Sequence, residues 1–143
     1  EDRGQKYGYQ RIERGEAVPP LAISGAMKIN ATEPLLHIRA LHLADDIPYA
    51  FEDRWINTGV VPDGLAEGYE TVSANEWLLK HAPYTNGEIA FYATSATSEE
   101  AEILCCHNNS ALFAIDRLTW DGGLAVTKVR LLFAPGHRLS TIL

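Results

Sequence analysis

Residues 49–57 read YAFEDRWIN. Inside an apolar run they place a glutamate and an arginine two positions apart. On an extended strand side chains alternate, so Tyr49, Phe51, Asp53 and Trp55 point one way and Ala50, Glu52, Arg54 and Ile56 the other. A carboxylate beside a guanidinium forms charge-assisted hydrogen bonds. On an exposed sheet face that pair is solvated and worth under about 1 kcal/mol. Beside further polar groups it is one wall of a ligand pocket. Asp53 falls on the apolar face, and the sequence names no partner for it.

Which groups join Glu52 and Arg54 depends on the hairpin that precedes them. A two-residue loop puts His37 and Arg39 on their face. A three-residue loop, closed by a residue in the left-handed conformation, shifts the register by one and brings Ala40 and His42 instead. Asp45-Asp46 favours the second arrangement, because Asp tolerates that conformation better than most residues. His42, Glu52 and Arg54 then share a face with Ala40 and Ala50, and the small residues leave room for a ligand.

Other chemistries leave no trace. His37, His42, His81, His107 and His137 lack metal-ligand spacing. There is no GxSxG, GxGxxG or P-loop motif. A spatial triad would not show in linear sequence, so catalysis has no positive sign here. The two cysteines are adjacent, Cys105 and Cys106. Neighbouring cysteines bridge only under strain, which points to two reduced thiols in a cytosolic protein. No cofactor is implied.

The elements that position these groups follow from periodicity and punctuation. With 143 residues, 46% hydrophobic and 22% charged, the chain suits one domain with one core. Strands are expected at 6–14, 35–44, 48–57, 88–96, 111–120 and 124–133. The last two are joined by DGG, a hairpin signal. Residues 18–27 read as a short helix and 58–71 as a loop. Ser73 and Glu76 form a capping box; Ala74, Trp77, Leu78 and His81 give the helix an apolar stripe ended by Pro83. A second capped helix covers 97–106, with Glu99 and Glu100 at its positive end. A last short strand is possible in 134–143. Hairpin order makes the sheet mostly antiparallel with helices packed against it, an α+β fold. Trp55, Trp77 and Trp120 read as core aromatics, and Arg39 as an ion-pair partner. No run reaches the roughly 18 apolar residues needed to span a bilayer. The net charge of −7, with scattered cations, argues against DNA contact by this chain.

The segments IRALHLADDIPYAFEDRWIN, SANEWLLKHAPY and LFAIDRLTWDGGLAVTKVRLLFAPGHR together resemble the UTRA domain, the effector-sensing half of GntR-family transcription regulators of the HutC type. The resemblance runs over nearly the whole chain, and its more specific segments are similar to members that control histidine utilization. It implies a chorismate-lyase-like α+β fold over 1–143, a repressor function, and a homodimer. It also implies that DNA is bound only through an N-terminal winged helix-turn-helix outside these residues. Glu52 matches the family's ligand glutamate, Ser73 to Asn75 a ligand-binding helix start, and Thr127 a contributor from the final hairpin. His42 stands where relatives that sense sugar phosphates place an arginine. Without that permanent cation a phosphorylated effector fits less well. Urocanate, or a related histidine-pathway metabolite, is the effector this implies. Glu52 would accept from its imidazole, Arg54 or the helix start would take its carboxylate, and Tyr92 would stack on its flat body. The alternatives are a sensor of another carboxylate or sugar-derived effector, a chorismate-lyase-like enzyme, and a dimerisation module without ligand.

Overall fold

Among the described residues, six strands and three helices form where apolar alternation and capping residues direct them. The computed structural model describes residues 5–65, 67–70 and 72–143. In chain order the elements are β1 (Tyr7–Ala17), α1 (Leu21–Met27), β2 (Leu35–Ala44), β3 (Ile47–Ile56), a 3-10 turn (Pro62–Leu65), α2 (Ala74–His81), β4 (Asn86–Ser95), α3 (Ser98–Leu104), β5 (Ala111–Asp121) and β6 (Leu124–Phe133). The strands make one sheet, ordered β1-β2-β3-β6-β5-β4, and every neighbouring pair is antiparallel. This is the α+β architecture expected. The last short strand is not there: residues 134–143 carry neither helix nor strand. His137 instead stacks on Phe133, ring centres 4.0 Å apart.

The β2–β3 hairpin decides which side chains meet. Its loop is two residues, Asp45 and Asp46, both left-handed at φ 51° and 66°, closed by the pair Ala44 and Ile47. That is the hairpin turn whose twist matches the strands it joins. The register then shifts between His42 and Leu43, leaving Tyr49 as an extra residue opposite them. Pro48 sits at this irregularity, where a missing N–H costs no ladder bond. A two-residue turn plus a bulge therefore gives the pairing expected of a three-residue loop. His42 faces Ala50, and Ala40 faces Glu52.

Each face of the sheet has its own cover. On the face of Glu52 lie α2 and Val60, Val61 and Val72 from the connection before it, with Leu36, Ile38, Ile56, Tyr69, Trp77 and Leu78 buried between them. Ser73 caps α2 by accepting from the Glu76 N–H at 3.2 Å. On the other face α3 buries Ala101 and Leu104 against Leu41, Phe51 and Leu132. There α1 buries Met27 against Leu35, Trp55 and Trp120. Thr97 and Glu100 close a full capping box at the start of α3. All three tryptophans are buried. Arg39 pairs with Glu99 at 3.0 Å and lies over Phe51. Among the described residues no helix is long and apolar enough to cross a membrane.

Candidate functional site

Four of the expected residues form one buried network on the α2 face. Glu52 and Arg54 are 1% and 2% exposed. One Glu52 oxygen accepts from Arg54 Nε at 2.7 Å. The other lies 2.8 Å from His42 Nε2. Arg54 Nη1 donates to Thr127 Oγ1 at 3.3 Å, and Thr127 donates onward to the Trp55 carbonyl at 2.8 Å. The Tyr7 hydroxyl reaches His42 Nδ1 at 2.6 Å. With Nε2 donating to Glu52, the Nδ1 atom accepts from the Tyr7 hydroxyl. Tyr9 stands edge-on to the same imidazole at 5.6 Å.

Electrostatics keep this network charged at one end and protonated at the other. Burial alone raises the Glu52 pKa, but the Arg54 charge and the hydrogen bonds from His42 and Arg54 outweigh it and hold the carboxyl at about 2. Burial, then the Tyr49 and Glu52 oxygens, push the Tyr7 phenol up. Burial first, then Glu52, pushes Tyr9 to about 12. Both phenols stay protonated near neutral pH, and Tyr7 is the one that donates, to His42. The Tyr9 oxygen is buried with no hydrogen-bond partner among the described residues.

Beside the network, between α2 and strands β4 to β6, lies a cavity of about 350 Å³. Its polar wall includes Arg54, Asn75, Glu88, Arg117, Thr119 and Thr127; its apolar sides include Leu78, Val126 and Val129. Arg117 Nη2 donates to Asn75 Oδ1 at 2.9 Å, joining β5 to the first turn of α2. Among the described residues Glu52, His42 and Ser73 do not line the cavity; Glu52 stands behind Arg54. No group of described His, Cys, Asp and Glu residues is placed to hold a metal ion.

Tyr92 is the expected site residue that falls elsewhere. It pairs with Ala114, which pairs with Leu132, and it packs on the α3 side. Its hydroxyl donates to Asp116 at 2.9 Å and accepts from Arg130 Nε at 3.1 Å. Strand parity, not distance along the chain, removes it from the cavity. Asp53, without a partner in the sequence reading, meets His37 Nε2 at 2.6 Å on that opposite face. His37 in turn stacks flat on Trp55 at 3.9 Å. Sequence reasoning missed Tyr7, Tyr9 and Arg117. Each alternates with a neighbour of its own strand, but only the pairing register shows which face that is.

The UTRA domain family matches residues 2–139, and the chain belongs to that family. It is an effector-binding regulatory domain by class. Among its relatives, the histidine utilization repressor of Pseudomonas aeruginosa is 33% identical over 136 residues, covering 95% of this chain and 54% of that protein. The histidine utilization repressor of Klebsiella aerogenes is 34% identical over 113 residues, 79% of this chain and 46% of that protein. The chain thus spans about half the length of the curated relatives it matches. A crystal structure of the C-terminal domain of the histidine utilization repressor from Pseudomonas syringae superposes with a TM-score of 0.89 at 27% identity, covering 96% of this chain and 99% of that one. These relatives are named as repressors, which favours a regulator over the chorismate-lyase-like enzyme.

Proposed function

We propose that this domain senses urocanate or a closely related histidine-pathway metabolite for a cytoplasmic, homodimeric repressor of histidine utilization genes. The observation that carries the reading is the cavity beside Arg54, whose wall combines guanidinium, amide and hydroxyl donors with apolar sides. Small-molecule sites have this make-up, and about 350 Å³ lies near the lower end of their usual range of about 300–1,000 Å³. The relatives' names supply the pathway. Arg54, Asn75 and Thr127 are the contacts this reading assigns to the effector.

Glu52 and His42 have a different task from direct contact. Both Glu52 oxygens are engaged, so the pair orients Arg54 and holds its charge at the cavity wall. Ser73 starts the helix that carries Asn75. Ile89 and Phe91, exposed on edge strand β4, provide an apolar surface that a second copy would cover. Regulation follows by linkage. Effector that binds one dimer arrangement better than another shifts the population, and operator affinity in the DNA-binding domain changes by the same ratio. Isothermal titration of the chain with urocanate tests the reading: saturable heat is expected, with weaker binding in Arg54→Ala. No heat from the wild type would remove urocanate as the effector.

A further inference from the structure

We propose that Arg117 selects the effector's charge: together with Arg54 it receives the carboxylate of a small, flat, largely apolar acid. The inference rests on reading the cavity as the effector site. Arg117 pairs with Val129, which pairs with Arg54. All three therefore project from one face, under α2. Among the described residues Arg117 has no carboxylate within ion-pair distance, whereas Arg39 has two and Arg54 and Arg130 have one each. It donates to the neutral Asn75 oxygen, which aims the guanidinium without neutralising it.

Two guanidiniums, Arg54 and Arg117, and the Glu88 carboxylate line the cavity, so its lining carries a net positive charge. Burial and then the neighbouring Arg54 charge make the Arg117 cation less favourable than in water, with Glu52 a smaller offset. Glu52 is already committed to Arg54 and His42. Glu88 also lines the cavity, and accepts from Trp120 Nε1 at 3.2 Å. An anion lodged between two guanidiniums relieves their repulsion and matches their paired donors. Leu78, Val126 and Val129 give the body of such a ligand an apolar surface, with Asn75, Thr119 and Thr127 as its neutral polar neighbours, which suits a flat conjugated body. A phosphate ester shares the charge but not this fit, and the test separates the two.

Isothermal titration of the chain with four probes reads this out: urocanate, cinnamate, the uncharged amide of urocanate, and inorganic phosphate. The wild type should bind an acid about 10- to 100-fold more tightly than the amide, the value of a charge-assisted contact. Arg117→Ala should remove most of that preference by weakening the acid and leaving the amide unchanged. Arg117→Lys should restore part of it, and circular dichroism melts should match the wild type in both variants. Preference retained in Arg117→Ala overturns the inference, as does phosphate binding more tightly than either acid. Urocanate bound, with a preference that Arg117→Ala does not alter, leaves the proposed function standing and removes only Arg117. Cinnamate bound through Arg117 with urocanate silent does the reverse. If neither acid binds the wild type, both fall.

Discussion

On one face of β3, His42 meets Glu52 at 2.8 Å; on the other, His37 meets Asp53 at 2.6 Å. The groups and distances are alike, and the surroundings are not. The Glu52 side chain is 1% exposed and shares its second oxygen with a buried arginine. The Asp53 side chain is 36% exposed, and its histidine lies on the Trp55 ring. Solvent, more than separation, sets what a histidine–carboxylate contact is worth. Water screens and replaces the outer pair. The inner pair has lost its hydration, so each member depends on the other. The inner set thus fixes Arg54 at the cavity wall, and the outer set tethers neighbouring strands.

Breaking the inner pair should have the largest effect. Glu52→Gln leaves the Arg54 charge buried without its counter-ion, and urea unfolding should show a loss of about 3 to 5 kcal/mol. The same carboxyl gives the wild type an acid-dependent term. Its pKa is lowered from 4.5 to about 2, so its stabilisation is complete above pH 4.5 and fades as pH falls toward 2. Glu52→Gln should lack that part of the slope. A smaller loss, about 1 to 3 kcal/mol, is expected of His42→Ala, which leaves one Glu52 oxygen and the Tyr7 hydroxyl without partners. Asp53→Asn on the outer face should cost less than about 1 kcal/mol. Equal losses for Glu52→Gln and Asp53→Asn in the same unfolding series would erase the distinction between the faces.

The contrast was partly legible in the sequence. Alternation separated Glu52 from Asp53, and the Asp45-Asp46 turn placed His42 with Glu52. That placement held through a two-residue turn and a bulge at Tyr49 rather than through a longer loop. Helix starts were readable because Ser73 and Thr97 cap by local hydrogen bonds. Tyr92 and Arg117 show where local reading stops. Their faces are fixed by pairing β4 to β5 and β5 to β6, and no residue beside them announces that register. Tyr7 joined the site through β1, whose pairing with β2 brings it beside His42 across 35 positions of chain.

The central claim is that Glu52 and His42 position Arg54 while the effector sits on its far side. A crystal structure of the chain with urocanate tests this most directly. The predicted result is a ligand in the cavity between α2 and strands β4 to β6, its carboxylate against Arg54 and Arg117. The Glu52 contacts to His42 and Arg54 should stay near 2.8 and 2.7 Å. Urocanate bound against Glu52 with His42 displaced, or outside that cavity, would contradict the account.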